Sequence, residues 1–340
     1  MAFAVVAVIA VVGVIGGGVV LYGRTQLEAP AAAHGTAVTV DVKSGETVDQ
    51  LASDLQSRGL IRSSFWFGWF AKFKGLGNDL HAGKFKLDSG MGASAIVARL
   101  GAAPEVTTHR LVLAEGLNAR QMAQRVEQAG LGISAQQYLD EVTTGSFDYP
   151  FLQGRPSGGS LEGFLFPDTY SVPDGSSAHD LVKMQLDDFA QRAAPLLQAP
   201  PHGLTAYQVV VMASIVEREA QFPDDRPQVA SVLYNRLDQN MRLQVDASVL
   251  YGLHVVGRSP TADELKQDTP YNTYLHAGMP PTPIANPGTA SLQASAHPAS
   301  TQFLFYVSDA CGHNHYSVTV QQHDQQVARY LNSPCPSPSP

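Results

Sequence analysis

The sequence predicts an α+β protein with an N-terminal transmembrane helix, strand-bearing units with short helices, and a helix-rich core towards the C-terminal end. Three observations carry this. Residues 2–22 are a run of 21 residues without a charge, long enough to cross a bilayer as a helix. Two stretches, Val42–Ala52 and Leu113–Ala123, repeat one pattern: an apolar strand, a glycine turn, a polar cap and a helix. From Thr205 the chain reads Thr205-Ala206-Tyr207-Gln208, a capping-box start, and then runs through Val209, Val210, Val211, Met212, Ala213, Ile215 and Val216 to a stop near Pro223.

The elements follow in order. Residues 1–23 read as an anchor rather than a signal peptide, whose apolar region is about 7 to 15 residues long; no Lys or Arg precedes the run and Arg24 follows it. Residues 24–37 read as a linker. Residues 38–103 hold the first repeat, which passes Gly59-Leu60 and closes with Ala82–Phe85 and a helix over Ala93–Leu100. Its aromatics Phe65, Trp66, Phe67, Trp69 and Phe70 have helical spacing; such clusters are core more often than they are platforms for stacked sugars. Residues 104–204 hold the second repeat with its own Gly130-Leu131, and 205–331 form the core. The Ser/Pro-rich stretch 332–340 reads as disordered.

Composition narrows the function. At 340 residues the chain supports two or three domains, and a net charge of -8 argues against a nucleic-acid partner. Cys311 and Cys335 are the two cysteines, without metal-ligand spacing. His313, His315 and His323 could suggest a metal, but no nearby carboxylate or cysteine completes a site, so neither metal nor cofactor is expected.

Glu217 is the most informative residue. It ends an apolar helical run, on the same face as Val210, Ala213 and Ser214. Burial raises the pKa of a carboxyl group, which suits a group that gives a proton near neutral pH and then takes one back. The plainer alternative is a helix-terminal glutamate paired with an arginine. Periodicity leaves Glu219 open as well, on the opposite face with Met212 and Ile215.

Further blocks give the pattern a family. Leu161–Tyr170, Ala213–Ala220, Val229–Leu237, Met241–Gly252, Thr269–Tyr274 and Gly278–Gly288 occur in this order, and together they resemble the endolytic murein transglycosylase (YceG-like) family, membrane-anchored enzymes that cut glycan strands of bacterial peptidoglycan. The resemblance covers roughly residues 38 to 331. It implies that residues 38–103 are a LysM-like module and that Glu217 is the catalytic acid and base for cleavage of the MurNAc-β-1,4-GlcNAc bond, leaving a 1,6-anhydroMurNAc end. It also implies that the protein ends elongation of nascent strands, with peptidoglycan synthases as neighbours, on the outer side of the cytoplasmic membrane. A saccharide cleft needs amides and hydroxyls; Glu162, Asn235, Gln244, Asp246, Ser248, Tyr271, Asn272, Thr273 and Asn286 are the candidates for its lining. Two places depart from the family: Asp246-Ala247-Ser248, where Asp-Pro-Thr is common, and Cys311–Tyr316, where the register of the histidine is ambiguous. Two alternatives stay open, a non-catalytic peptidoglycan-binding scaffold and a muramidase that uses water with Asp246 or Asp268 as second carboxylate.

Overall fold

A computed structural model describes residues 17–30, 35–104, 107–156 and 158–331. The chain divides into two compact units, Met1–Thr107 and Thr108–Pro340. Residues 17–27 are helical (α1). Most of the expected membrane span lies outside the described residues, as does the tail 332–340; among the described residues no helix is long and apolar enough to cross a membrane.

In the first unit, strands β1 (Ala37–Val42) and β2 (Gly83–Asp88) pair antiparallel. Between them run helices α2 (Val48–Ser57), α3 (Ser64–Phe73) and α4 (Leu76–Asp79), and α5 (Ala93–Leu100) follows. Alternation in β1 and β2 sends Val40, Val42, Phe85 and Leu87 inwards against Leu51, Leu55, Phe67 and Ile96. The aromatic run of α3 is therefore split: Phe67 is buried in this core, whereas Phe65 and Trp69 are exposed.

The second unit opens with the same plan. Strand β3 (Thr108–Val112) pairs antiparallel with β4 (Thr169–Pro173), helices α6 (Ala119–Gln128) and α7 (Ala135–Thr144) lie between them, and α8 (Ala178–Arg192) follows. The repeat is structural and keeps a constant offset of 71 residues. Left-handed Gly45 and Gly59 correspond to Gly116 and Gly130, capping-box pairs Thr47/Gln50 and Asn118/Gln121 correspond, and Ser63 and Ser134 cap α3 and α7. A glycine recurs at each turn because φ is +79° at Gly45 and +76° at Gly116, a region closed to most side chains. The copies diverge after α7, where the second carries a longer connection with Leu161–Phe166 before its strand returns.

The core follows, with α9 (Ala206–Glu219), α10 (Arg226–Asp238), α11 (Asp246–Gly252) and α12 (Thr289–Ala296), then the antiparallel pair β5 (Phe305–Ser308) and β6 (Asn314–Ser317) and helix α13 (Val320–Tyr330). Helix α9 starts at the expected capping box and is central. Its Val209, Val210, Val211 and Ala213 join the cluster around Phe164 and Phe189, while Met212, Ile215 and Val216 join a second cluster with Leu233, Tyr234 and Ile284. At roughly 1.5–3 kcal/mol per buried aliphatic side chain, this double burial fixes α9 in register, and its last turn is where the two faces diverge.

Candidate active site

The site is built on the C-terminal turn of α9 and three loops distant in sequence. Ser214 donates through Oγ to Val211 O (2.7 Å) and accepts from Ile284 N (3.0 Å), tying the helix to the loop before α12. That loop is bound to the turn after β3 by two backbone bonds, Gly116 N to Asn286 O and Asn286 N to Leu117 O, both 3.0 Å. Asn286 is fully buried and completes the clamp: Oδ1 accepts from Gly163 N (2.8 Å) and Leu165 N (3.1 Å), and Nδ2 donates to Leu117 O (3.0 Å) and Glu162 (2.6 Å). Glu162 accepts in addition from Ala119 N at 3.0 Å, at the start of α6, and from Tyr251 OH at 3.2 Å. Burial pushes the Glu162 carboxyl up to about 7, against the pull of these donors.

The clamp delivers a backbone N–H to Glu217. Gly288, which caps α12, donates to Glu217 Oε2 at 3.1 Å, and Arg226 at the start of α10 donates to Oε1 at 3.2 Å. Both side chains of this ion pair are nearly buried, with 6% of Glu217 and 10% of Arg226 exposed. The N-terminal end of α12 adds positive potential at the same place. Arg226 also lies 3.7 Å from Glu115, which is half-exposed, and Arg226 Nε is buried without a hydrogen-bond partner. Burial and the neighbouring Glu217 raise the Glu115 carboxyl above its usual range, with Arg226 opposing. Glu115 rests against Gly288 so closely that a methyl group there would overlap its carboxylate. The arginine-paired glutamate of the plainer reading is thus real, but it is a pair of carboxylates facing one guanidinium.

Glu219 faces elsewhere. It accepts from Tyr306 OH at 2.7 Å, and burial, followed by Asp246, raises its carboxyl. Glu219, Asp246, Arg218, Asn118, Tyr251 and Arg258 line a polar cavity of about 240 Å³ that reaches Gly116; Gly116 in turn backs onto the Glu217 side chain.

Most of the expected cleft lining makes hydrogen bonds within the fold. Asn272, Thr273, Ser248, Asn286 and Glu162 are buried, at 3% exposure or less. Asn272 donates to Leu265 O and Gln267 O, and Thr273 accepts from Val245 N and meets Ser248 Oγ. Asn235 donates to Thr301 O and Phe303 O, Gln244 accepts from Arg236 at 3.4 Å, and Tyr271 meets Thr282. Asp246 accepts from Tyr274 OH and lines the cavity. The physical reason is that residues 265–288 have little regular structure, so side-chain amides and hydroxyls satisfy backbone groups that helices or strands would satisfy elsewhere. Glu115 was not among the residues expected from sequence; at the repeat's equivalent position the first copy has Ser44.

Two carboxylates, a guanidinium and a helix N-terminus thus meet beside a polar cavity, a set of groups able to hold and pass a proton. The YceG-like family model matches residues 40–329, and the chain belongs to that family. It is 29% identical over 337 residues to an endolytic murein transglycosylase of Bacillus subtilis, covering 93% of this chain and 91% of the relative. An endolytic murein transglycosylase of Streptococcus pneumoniae is 28% identical over 87% of this chain, which spans 59% of that relative's length. The crystal structure of a YceG-like protein of Listeria monocytogenes matches 86% of this chain and 99% of its own at 27% identity, with a TM-score of 0.56.

Proposed function

We infer that this protein is an endolytic murein transglycosylase, a lyase that cuts the MurNAc-β-1,4-GlcNAc bond of peptidoglycan glycan strands. The relatives' activity and the family support the reaction class; the observation that carries the mechanism is Glu217 held between Gly288 N–H and Arg226 with Glu115 alongside. Burial and the neighbouring Glu217 favour the protonated Glu115 carboxyl, with Arg226 opposing, so a proton is held beside Glu217. Glu217 gives that proton to the leaving oxygen as positive charge develops at C1. The carboxylate so formed keeps the Gly288 and Arg226 donors, then takes the proton from the sugar's own 6-hydroxyl as it closes on C1. The product is a 1,6-anhydroMurNAc end. The polar cavity behind Gly116 is the candidate place for a neighbouring sugar.

The first unit is assigned as a LysM-like module; two antiparallel strands with helices between them support this. Residues 2–22 are assigned as a membrane anchor, on their uncharged length, with the rest of the chain on the outer face, ending elongation of nascent strands close to their synthases. The test is mass spectrometry of products from purified glycan strands. Anhydro ends, lighter by one water than hydrolysed ends, support the assignment. Reducing ends mean a water-using muramidase, and uncut strands mean a binding scaffold.

A further inference from the structure

Helix α3 leaves an apolar stripe uncovered. Phe65, Trp69 and Phe73 are 72%, 57% and 73% exposed, and Trp69 and Phe73 stack on each other with centroids 5.6 Å apart. At about 100° per residue, these three side chains and Trp66 fall within an arc of about 100° on α3. From the area such side chains carry, the exposed patch is on the order of 400 Å², large for one short helix.

What flanks the patch identifies its occupant. Trp66, at the edge of the arc, packs on Gly23, where an added methyl group would meet its ring at 2.8 Å. Gly23 directly follows the uncharged run, and Val19, Val20, Leu21 and Tyr22 on α1 are themselves at least half exposed. Arrangement of α1 against this unit is fixed further by Leu27, which packs on the core, and by Arg62, which donates to Ala29 O at 2.6 Å. The point where the chain leaves the apolar run is therefore in contact with the helix that bears the stripe. Charge plays little part, since Lys72 is paired with Asp49 and Lys74 lies over Phe70.

We propose that the Phe65–Trp69–Phe73 face of α3 lies in the interfacial layer of the membrane entered by residues 2–22, where aromatic rings and amphipathic helices settle. The proposal rests on the anchor reading above. It makes the first unit a membrane-seated foot rather than a free sugar-binding domain on a tether.

The protein contains two tryptophans, Trp66 and Trp69, which makes the test direct. Full-length Trp66→Phe, with Trp69 as sole indole, is placed in phosphatidylcholine nanodiscs with and without lipids brominated near the glycerol end of the acyl chain. Trp69 is expected to lose the larger part of its emission to brominated lipid, with a shift to shorter wavelength. If Trp66→Phe fails to fold, the difference between wild type and Trp69→Phe reports the same indole. Protein that co-elutes with nanodiscs while Trp69 stays unquenched overturns the proposal and leaves the anchor standing. Protein that does not co-elute overturns both. A Trp69 signal that responds to chitotetraose and not to lipid makes the face a sugar platform, and one shielded only at high protein concentration makes it a contact between copies; either result overturns the proposal.

Discussion

Replacing Arg226 by methionine removes the one cation shared by Glu217 and Glu115 while filling similar space. Breaking a buried ion pair by removing one partner costs about 3 to 5 kcal/mol. The orphaned Arg226 Nε and the half-exposure of Glu115 point to the lower end of that range. In a unit of this size about 3 kcal/mol corresponds to a fall of roughly 6–12 °C in melting temperature. The effect depends on pH, and its sign follows from Glu115, which Arg226 holds down against burial and Glu217. A carboxyl raised above its unfolded value gives full stability below that unfolded value and loses it as pH rises through the folded one. Without Arg226 the folded value climbs further, so the loss of stability grows with pH. Melting curves from pH 4 to pH 8 check this: Arg226→Met is expected near wild type at pH 4 and to fall furthest behind at pH 8. A deficit that is the same at every pH would refute the coupled carboxylate pair.

Three further outcomes are expected. Glu217→Gln keeps the fold, since Gln still accepts one hydrogen bond, but lowers cleavage of glycan strands by at least about 10²-fold, the typical loss of a general acid; Glu219→Gln lowers melting temperature with little effect on cleavage by the folded fraction, and equal loss of cleavage in both variants means the acid is misassigned. Gly288→Ala drives a methyl group into the Glu115 carboxylate, so cleavage falls while circular dichroism is unchanged; wild-type turnover would show that Glu115 is free to leave. Glu162, raised to about 7 by burial, contributes stability that is full below about pH 4.5 and lost as pH rises through 7, by roughly 3 kcal/mol at 1.36 kcal/mol per pKa unit; Glu162→Ala is expected to remove that pH dependence in chemical denaturation, and a slope equal to wild type over this window counts against the buried titration.

What the sequence made legible was local. The capping boxes at Thr47, Asn118 and Thr205 mark helix starts because side chain and backbone sit three residues apart, and the repeat shows because turns demand glycine. Helix α9 defeated a helical wheel because it is buried on both faces, so only the family motif singled out Glu217. Glu115 was hidden because Glu217, Arg226 and Gly288 join it only through folding. The internal hydrogen bonds of the polar blocks after residue 235 were not legible, because composition cannot tell an amide that binds a ligand from one that satisfies a neighbouring carbonyl.

The clamp at Asn286 also ties the geometry around Glu217 to segments far apart in the chain. Glu115, Glu217 and Gly288 come from the early, middle and late thirds of the second unit, and the late segment supplies both the N–H that holds Glu217 and the amide that neutralises the burial of Glu162. Residues 115 and 217 alone therefore lack the contacts that fix the Glu217 carboxylate until residues 284–288 are in place. The surroundings of Glu217 are complete only once the last third of this unit has joined the fold.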